Sequence, residues 1–216
     1  MGTVVIYIGG EGPAENPVIP DEVVAVLAAD SGLELADAHG MNVDLVVGDM
    51  DSVNPVLLQK YAESGTKIEQ FPHDKDVTDF ELALSAASRW NAEKLIIIGG
   101  GGHRVDHLLG NFAIAVGPQT LPWEVDMLMQ TEHIYICRPL QPRMFEMKFD
   151  DTISLIPIGA DAIGVTTTGL KWELKDSTLD VHAARGISNI CVKENVVVEI
   201  GSGALAIIRM NGETDL

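Results

Sequence analysis

The run Leu45-Val46-Val47-Gly48-Asp49-Met50-Asp51-Ser52 decides how the first half of the chain is interpreted. A short β-branched run that stops at a glycine predicts a buried strand, and two carboxylates follow it directly. In an extended backbone, residues two apart lie on the same side, so we expect Asp49 and Asp51 to share one face. Their charges, about 5 Å apart, would repel by roughly 3 kcal/mol at an effective dielectric near 20. A divalent cation with oxygen ligands would offset that repulsion, and Mg²⁺ suits a substrate that carries phosphates. The alternative is that one aspartate caps a helix or shapes a turn.

The composition is that of a folded, strongly acidic protein. The chain has 216 residues, of which 46% are hydrophobic, enough for one large domain or two small ones. A formal net charge of -18 argues against sequence-independent nucleic-acid binding, which depends on Lys and Arg. Cys137 and Cys191 match no metal or redox spacing and favour a reducing, cytoplasmic setting. No apolar run reaches membrane-spanning length, so we expect a soluble intracellular protein without a membrane partner.

Strand and helix patterns alternate through the first half of the chain. Apolar strands are predicted to end at Ile8, before Asp30, at Val47 and at Ile98, with helical spacing between them. This alternation favours βαβ units and a parallel sheet. Ligands collect outside the carboxyl ends of such strands. We therefore expect four polar motifs at one edge of the sheet: Asp30, the Asp49 and Asp51 pair, the acidic segment Asp74–Asp79, and the glycine loop Gly99–Asp106.

The acidic segment holds more carboxylates than its local structure requires. Thr78 and Glu81 have the spacing of a capping box, which predicts a helix that starts near Thr78. A cap does not account for Asp74, Asp76 and Asp79. The helix dipole makes acids tolerable at this position without explaining why three of them are present.

The glycine loop Gly99-Gly100-Gly101-Gly102-His103-Arg104 follows a buried strand. Four glycines allow a ligand to approach closely and could turn backbone N–H groups toward an anion; the alternative is an ordinary tight turn. The spacing fits neither a dinucleotide fingerprint nor a P-loop. Arg104 is a candidate to bind a phosphate as a bidentate fork. His103 and His107 fit hydrogen-bonded structural roles better than metal ligation.

Beyond Leu128 the alternation of strand and helix patterns gives way to short strand patterns. A proline-bearing link near Pro139 predicts a boundary between a domain of residues 1–138 and a domain of residues 139–216. The second domain shows short alternating strands separated by Gly, Asp and Asn turns, which predicts a small antiparallel β-sandwich. No helix is predicted after about residue 130.

The ordered motifs of this chain resemble the thiamin pyrophosphokinase family, and the resemblance spans most of the sequence. The segments that carry it are Ala29-Asp30-Ser31-Gly32, Val47-Gly48-Asp49-Met50-Asp51-Ser52-Val53, Asp74-Lys75-Asp76-Val77-Thr78-Asp79-Phe80-Glu81, Gly99-Gly100 with Arg104, Asp106 and His107, Asn111, Gly169-Leu170-Lys171-Trp172 and Ser188-Asn189. Two positions depart from the family pattern: Ser31 stands where Gly is frequent, and Glu173 where bacterial members often have Pro.

The resemblance implies an α/β fold in which a Rossmann-like parallel-sheet nucleotide domain precedes an antiparallel β-sandwich that binds thiamin and dimerises. It implies a homodimer with sites at the subunit interface, and Mg²⁺-dependent transfer of pyrophosphate from ATP to the hydroxyl of thiamin, giving thiamin diphosphate and AMP. The implied metal ligands are Asp30, Asp49, Asp51 and Asp76. The implied nucleotide residues are Asp30, Gly100, Arg104, Asp106, His107 and Asn111. The implied thiamin residues are Trp172, Ser188 and Asn189.

Asp49, Asp51, Asp76 and Asp79 are the expected catalytic residues, and either Asp76 or Asp79 could accept the hydroxyl proton. A cationic thiazolium would suit the aromatic face of Trp172. The alternative for Trp172 is a core position in its sheet.

Three other functions fit the same motifs. A pyrophosphokinase could use another alcohol acceptor, such as a hydroxymethylpterin. A metal-dependent nucleotide-sugar transferase could use Asp49 and Asp51 and would release a nucleoside diphosphate. A non-catalytic nucleotide sensor would bind without turnover.

Overall fold

The structure is a computed structural model that describes residues 2–19, 22–102 and 104–210. The chain divides into two compact units, one ending at Thr131 and the other beginning at Glu132. The strand Glu132–Cys137 lies in the second unit because it pairs along its length with Leu205–Met210. The domain boundary expected after residue 138 stays a prediction.

The first unit alternates strands with helices, as the sequence pattern predicts. Its elements are β1 (Thr3–Tyr7), β2 (Val23–Ala29), α1 (Gly32–Ala38), β3 (Leu45–Gly48), α2 (Pro55–Glu63), β4 (Lys67–Gln70), α3 (Asp79–Ala87), β5 (Lys94–Ile98), α4 (Val105–Val116), a 3₁₀ turn (Pro118–Thr120) and β6 (Glu124–Leu128). The strands form a parallel sheet in the order β6-β5-β1-β2-β3-β4. The α/β prediction is confirmed.

The sheet brings the polar motifs to one edge. Every residue of β1 is buried, as expected for a central parallel strand covered on both faces. β2 ends directly before Asp30, β3 ends at Gly48 before Asp49, and β5 ends at Ile98 before the glycine loop. The carboxyl ends of parallel strands lie on the same edge, so this edge is where a ligand site is expected.

Helices α3 and α4 both supply residues to this edge, and only α3 was predicted. Thr78 caps α3: its hydroxyl accepts the Glu81 N–H, and Glu81 Oε2 accepts the Thr78 N–H at 2.8 Å, which confirms the capping box. Helix α4 begins directly after Arg104, inside the segment that the sequence analysis treated as a loop. Its N-cap residue makes no side-chain capping bond, so the usual start signal is missing.

The second unit is built from strands. They are β7 (Glu132–Cys137), β8 (Arg143–Glu146), β9 (Thr152–Pro157), β10 (Ala162–Thr168), β11 (Ser177–Leu179), β12 (Asn189–Ile190), β13 (Asn195–Glu199) and β14 (Leu205–Met210). Antiparallel pairing joins β12-β9-β14-β7 in one layer and β11-β10-β13-β8 in another. A shared apolar core includes Phe145, Leu155 and Val198. The β-sandwich is confirmed, and residues 132–210 contain no helix.

Both cysteines lie in the core of the second unit. Cys137 and Cys191 are buried and form no disulfide. Burial raises the pKa of each thiol to about 11. Within the described residues, no helix has both the length and the apolar character needed to cross a bilayer.

Candidate functional site

Three carboxylates from separate parts of the first unit meet at the sheet edge. Asp30 follows β2, Asp49 follows β3, and Asp79 opens α3. One oxygen of each lies within 4.8 Å of the others, and we call these three residues the carboxylate group. Asp30 has a φ of 47°, a left-handed conformation that a non-glycine residue seldom adopts outside turns and functional sites. The predicted convergence of Asp30, Asp49 and the acidic segment is therefore seen, with Asp79 as the member of that segment.

Gly48 allows the carboxylates to approach one another. Its φ is 152°, and a Cβ atom placed there would lie 3.1 Å from Asp79 Oδ1 and 3.2 Å from Asp30 Cβ. A side chain at this position would therefore occupy the space between two members of the carboxylate group. The sequence pattern marks Gly48 only as the end of a strand.

Asp49 and Asp51 meet through a turn, which corrects the expectation of an extended backbone. Met50 has a φ of 66°, and the Asp51 N–H donates to Asp49 Oδ1 at 3.2 Å. The turn-forming alternative thus describes the backbone. The two side chains still converge, because His73 Nδ1 lies 2.9 Å from Asp49 Oδ2 and 3.2 Å from Asp51 Oδ2. Asp49, Asp51 and His73 form a second group that could hold a metal ion.

Lys75 contacts the carboxylate group directly. Its Nζ lies 3.2 Å from Asp49 Oδ2 and 3.1 Å from Asp79 Oδ1. The side chains of Lys75 and Asp49 are 13% and 9% exposed, so the contact is shielded from solvent. His73 and Lys75 were not among the predicted site residues. The available signal was their position inside the most polar segment of the chain.

The carboxylates do not share the same electrostatic environment. The pKa of Asp49 is lowered to about 2, chiefly by the Asp51 N–H and further by His73 and Lys75, although burial opposes the shift. The pKa of Asp79 is raised, first by burial and then by the charges of Asp30 and Asp49, although Lys75 opposes the shift. Burial lowers the pKa of Lys75, but its hydrogen bonds with Asp79 and Asp49 outweigh that effect and leave it raised.

The donor set fits a hard cation such as Mg²⁺. The carboxylate group offers only oxygen ligands, which Mg²⁺ prefers. Ser52 donates its hydroxyl proton to Asp30 Oδ2. Among the described residues, Asp30 Oδ1 has no hydrogen-bond partner although it is buried. Such an oxygen is costly to leave without a partner, and a cation would satisfy it. Asp76, which the resemblance also implies, is exposed and belongs to neither group.

A cleft of about 640 Å³ lies beside the carboxylate group. All six residues expected to bind the nucleotide line it: Asp30, Gly100, Arg104, Asp106, His107 and Asn111. Asp79 and Ser52 line it as well, so the cleft and the carboxylate group share Asp30 and Asp79. Glu11, Phe80 and Ile114 also line the cleft and were not predicted as site residues; Phe80 lies within the acidic motif, whereas no local motif marks Glu11 and Ile114.

Three N–H groups of the glycine loop donate to backbone carbonyls instead of facing an anion as expected. Gly99 donates to the Leu128 carbonyl at 3.0 Å, Gly100 to Gly9 at 3.1 Å, and Gly101 to Glu11 at 3.0 Å. The expected anion cradle is therefore wrong for these three residues. The loop uses glycine for close packing instead: a Cβ on Gly100 would lie 2.9 Å from both Asn111 Nδ2 and Ile8 Cδ1.

The guanidinium of Arg104 is held by Asp106. Arg104 Nε donates to Asp106 Oδ1 at 2.9 Å, and Nη2 donates to Oδ2 at 2.6 Å. This bidentate pair lowers the pKa of Asp106 and raises that of Arg104. The two side chains are 69% and 64% exposed, and exposed ion pairs stabilise little. A phosphate could therefore take the place of the Asp106 carboxylate on the guanidinium fork.

The residues expected to bind thiamin lie in the second unit. Trp172 is 56% exposed, which rules out the alternative of a core residue. Asn189 is buried; its Oδ1 accepts the Trp172 N–H at 3.2 Å, and its Nδ2 donates to the Trp172 carbonyl at 2.9 Å. Ser188 donates its N–H to Ser154 Oγ at 3.0 Å. Lys171, which was not predicted, places Nζ 4.9 Å from the centroid of the Trp172 ring. Asn189 thus acts on the backbone that carries Trp172.

Comparison with known proteins agrees with this arrangement. The sequence model for the thiamin pyrophosphokinase catalytic domain matches residues 20–122, and the model for the vitamin B1 binding domain of thiamin pyrophosphokinase matches residues 141–205. Thiamine pyrophosphokinase of Bacillus subtilis is 26% identical over 97% of this chain and 99% of its own length. The crystal structure of a B. subtilis thiamine pyrophosphokinase superimposes with a TM-score of 0.81, at 26% identity and with 97% and 99% of the two chains covered.

Plant relatives are longer than this chain. Thiamine pyrophosphokinase 3 of rice is 29% identical over 74% of this chain and 62% of its own length, so the chain spans about three fifths of that relative. Thiamin pyrophosphokinase from Candida albicans, at 14% identity, shares the fold with a TM-score of 0.79 over 97% and 89% of the two chains. The two sequence models together match more than half of the residues, in the order catalytic domain then vitamin B1 binding domain. The chain belongs to the thiamin pyrophosphokinase family.

Proposed function

We propose that this protein is a Mg²⁺-dependent thiamin pyrophosphokinase, which transfers pyrophosphate from ATP to the hydroxyl of thiamin and releases AMP. The observation that carries the proposal is the cleft of the first unit. All six residues expected to bind the nucleotide line it, and it shares Asp30 and Asp79 with the carboxylate group. Both family models match the chain, the catalytic domain before the vitamin B1 binding domain.

The carboxylate group is the proposed metal site. Asp30, Asp49 and Asp79 would hold the cation. Asp51 would lie beside them, because His73 contacts both Asp49 and Asp51. Bound Mg²⁺ would neutralise charge on the phosphate oxygens, which is the main requirement of phosphoryl-type transfer. The positive charge of the bound cation would also allow a protein of net charge -18 to hold an anionic nucleotide.

Side chains of the cleft have distinct proposed roles. Arg104 would exchange Asp106 for a phosphate oxygen pair, which positions the nucleotide. Two acids are candidates to accept the thiamin hydroxyl proton. Asp79 is already assigned to the cation, whereas Asp76 belongs to neither candidate metal group, so Asp76 is the spare acid of the pair.

Trp172 is the proposed contact for the thiazolium ring. Its exposed aromatic face can attract a cation by about 0.5–2 kcal/mol. Asn189 would position the ring through its two bonds to the Trp172 backbone. A homodimer with sites at the subunit interface and a cytoplasmic location complete the proposal, both on the basis of family membership.

The test is product analysis with purified protein, Mg²⁺, ATP and thiamin. We expect equal amounts of AMP and thiamin diphosphate, and loss of both products when EDTA removes the cation. Replacing thiamin with a hydroxymethylpterin tests the acceptor, and replacing ATP with a nucleotide sugar tests the donor. Release of a nucleoside diphosphate, or binding of ATP without any product, would refute the proposal. Light scattering on the same sample tests the dimer.

A further inference from the structure

Lys75 places a positive charge on the oxygens that the proposed cation would use. We propose that Lys75 is a tethered counter-ion that competes with the divalent cation for Asp49 and Asp79, and thereby sets how tightly the cation is held. The inference rests on the metal site of the proposed function. Lys75 lies within the acidic motif that carries the family resemblance, but the resemblance implied no role for it.

Lys75 occupies the oxygens at which the proposed cation would bind. Lys75 Nζ lies 3.2 Å from Asp49 Oδ2 and 3.1 Å from Asp79 Oδ1, and it therefore bridges two members of the carboxylate group. Ligand oxygens of these two residues and of Asp30 lie within 4.8 Å of one another. A cation at the centre of the carboxylate group would contact the side chains that Lys75 contacts. Mg²⁺ binds oxygen at about 2.0–2.1 Å, so an ammonium group on the same oxygens would be crowded and repelled.

Lys75 also changes the balance of charge at the carboxylate group. Asp30, Asp49 and Asp79 carry three negative charges when ionised, and Lys75 supplies one positive charge among them. In the cation-free protein this pairing reduces repulsion between carboxylates that are partly shielded from water, since the side chains of Asp49 and Asp79 are 9% and 27% exposed. When a divalent cation binds, the same ammonium becomes a like charge a few ångströms away and opposes it.

A purely structural role for Lys75 predicts the opposite change in cation affinity when the lysine is removed. If Lys75 only held the carboxylates in position, its removal would disorder the ligands and weaken cation binding. If Lys75 competes, its removal leaves the oxygens more negative and strengthens cation binding. The direction of the change in affinity therefore separates the two roles.

The experiment measures Mn²⁺ binding to the nucleotide-free protein by titration calorimetry and electron paramagnetic resonance. We expect Lys75→Met to bind Mn²⁺ about tenfold more tightly than the unaltered protein, because one like charge is removed from the site. Lys75→Arg keeps the charge and should stay near the original affinity. Lys60→Met is the matched control: it also removes one lysine charge, from an exposed pair with Asp37, and should change affinity less than twofold. Unchanged or weaker binding in Lys75→Met, or no Mn²⁺ binding in either protein, would overturn the proposal.

A second measurement on the unaltered protein covers the case in which Lys75→Met does not fold. Reductive methylation read by mass spectrometry reports how available each lysine is. Lys75 is 13% exposed, so it should react slowly without a cation and faster when Mg²⁺ displaces it, while Lys60, at 65% exposure, should not change. Equal labelling of Lys75 with and without Mg²⁺ would contradict the competition. Neither measurement uses ATP or thiamin, so a failed transferase assay and a failed competition assay remain distinct results.

Discussion

Replacing Asp49 with Asn tests the carboxylate group most directly. Asn keeps the size of the side chain and an oxygen that can accept the Asp51 N–H, but it removes the negative charge. The Asp49 side chain is only 9% exposed, and its pKa of about 2 means that it is ionised at any working pH. A unit charge about 4 Å from a positive charge contributes about 4 kcal/mol at an effective dielectric near 20. If most of this electrostatic stabilisation is lost in the transition state, turnover should fall by roughly 10²- to 10³-fold.

The assay for Asp49→Asn is the initial rate of AMP release at saturating ATP and thiamin across a range of Mg²⁺ concentrations. Circular dichroism on the same sample checks that the fold is retained. Asp37→Asn is the matched control, since Asp37 pairs with exposed Lys60 on helices α1 and α2, outside the cleft. The control should keep its activity. Near-normal turnover of Asp49→Asn with an unchanged Mg²⁺ dependence would refute the reasoning.

Stability at low pH, the space beside Gly48 and the thiamin contact at Trp172 can each be tested directly. The pKa of Asp49 is lowered to about 2, and hydrogen bonds from Arg89 and Lys67 lower the pKa of Glu69 on β4 to about 2 as well. The stabilising effect of both carboxylates is therefore complete above about pH 4.5 and lost as pH falls toward 2. Melting temperature measured against pH in EDTA should drop over that range, and a flat profile would contradict the assignment. Gly48→Ala should weaken Mn²⁺ binding in calorimetry, because its Cβ would lie 3.1 Å from Asp79 Oδ1; unchanged binding would show that the space is not needed. Trp172→Ala should raise KM for thiamin roughly 2- to 30-fold in steady-state kinetics, with KM for ATP unchanged.

Local signals in the sequence predicted much of the fold. The capping box of Thr78 and Glu81 involves residues three apart, and the structure contains both of its hydrogen bonds. The apolar runs that end before Asp30 and at Gly48 became adjacent parallel strands. Helix α4 was missed because Arg104 provides no capping bond and glycines precede it. Strands and helices could therefore be predicted wherever the sequence carries a short-range pattern.

The site was harder to predict because its decisive contacts are long-range. Lys75 and His73 reach Asp49 across 26 and 24 residues of sequence, and no spacing rule marks such pairs. The left-handed conformation of Met50 replaced the extended backbone assumed between Asp49 and Asp51. The hydrogen bonds of the glycine loop depend on its neighbours Gly9, Glu11 and Leu128, which the sequence alone does not place beside it. The sequence thus indicated which types of residue form the site, but not which residues contact one another there.

The two buried thiols make this protein convenient for spectroscopic work. With each pKa near 11, Cys137 and Cys191 carry almost no thiolate at neutral pH, and both side chains are shielded from reagents. A maleimide dye added to the folded protein should therefore leave both positions unlabelled. A cysteine introduced at exposed Val105, which begins helix α4 beside the cleft, would then be a unique attachment point for a fluorophore.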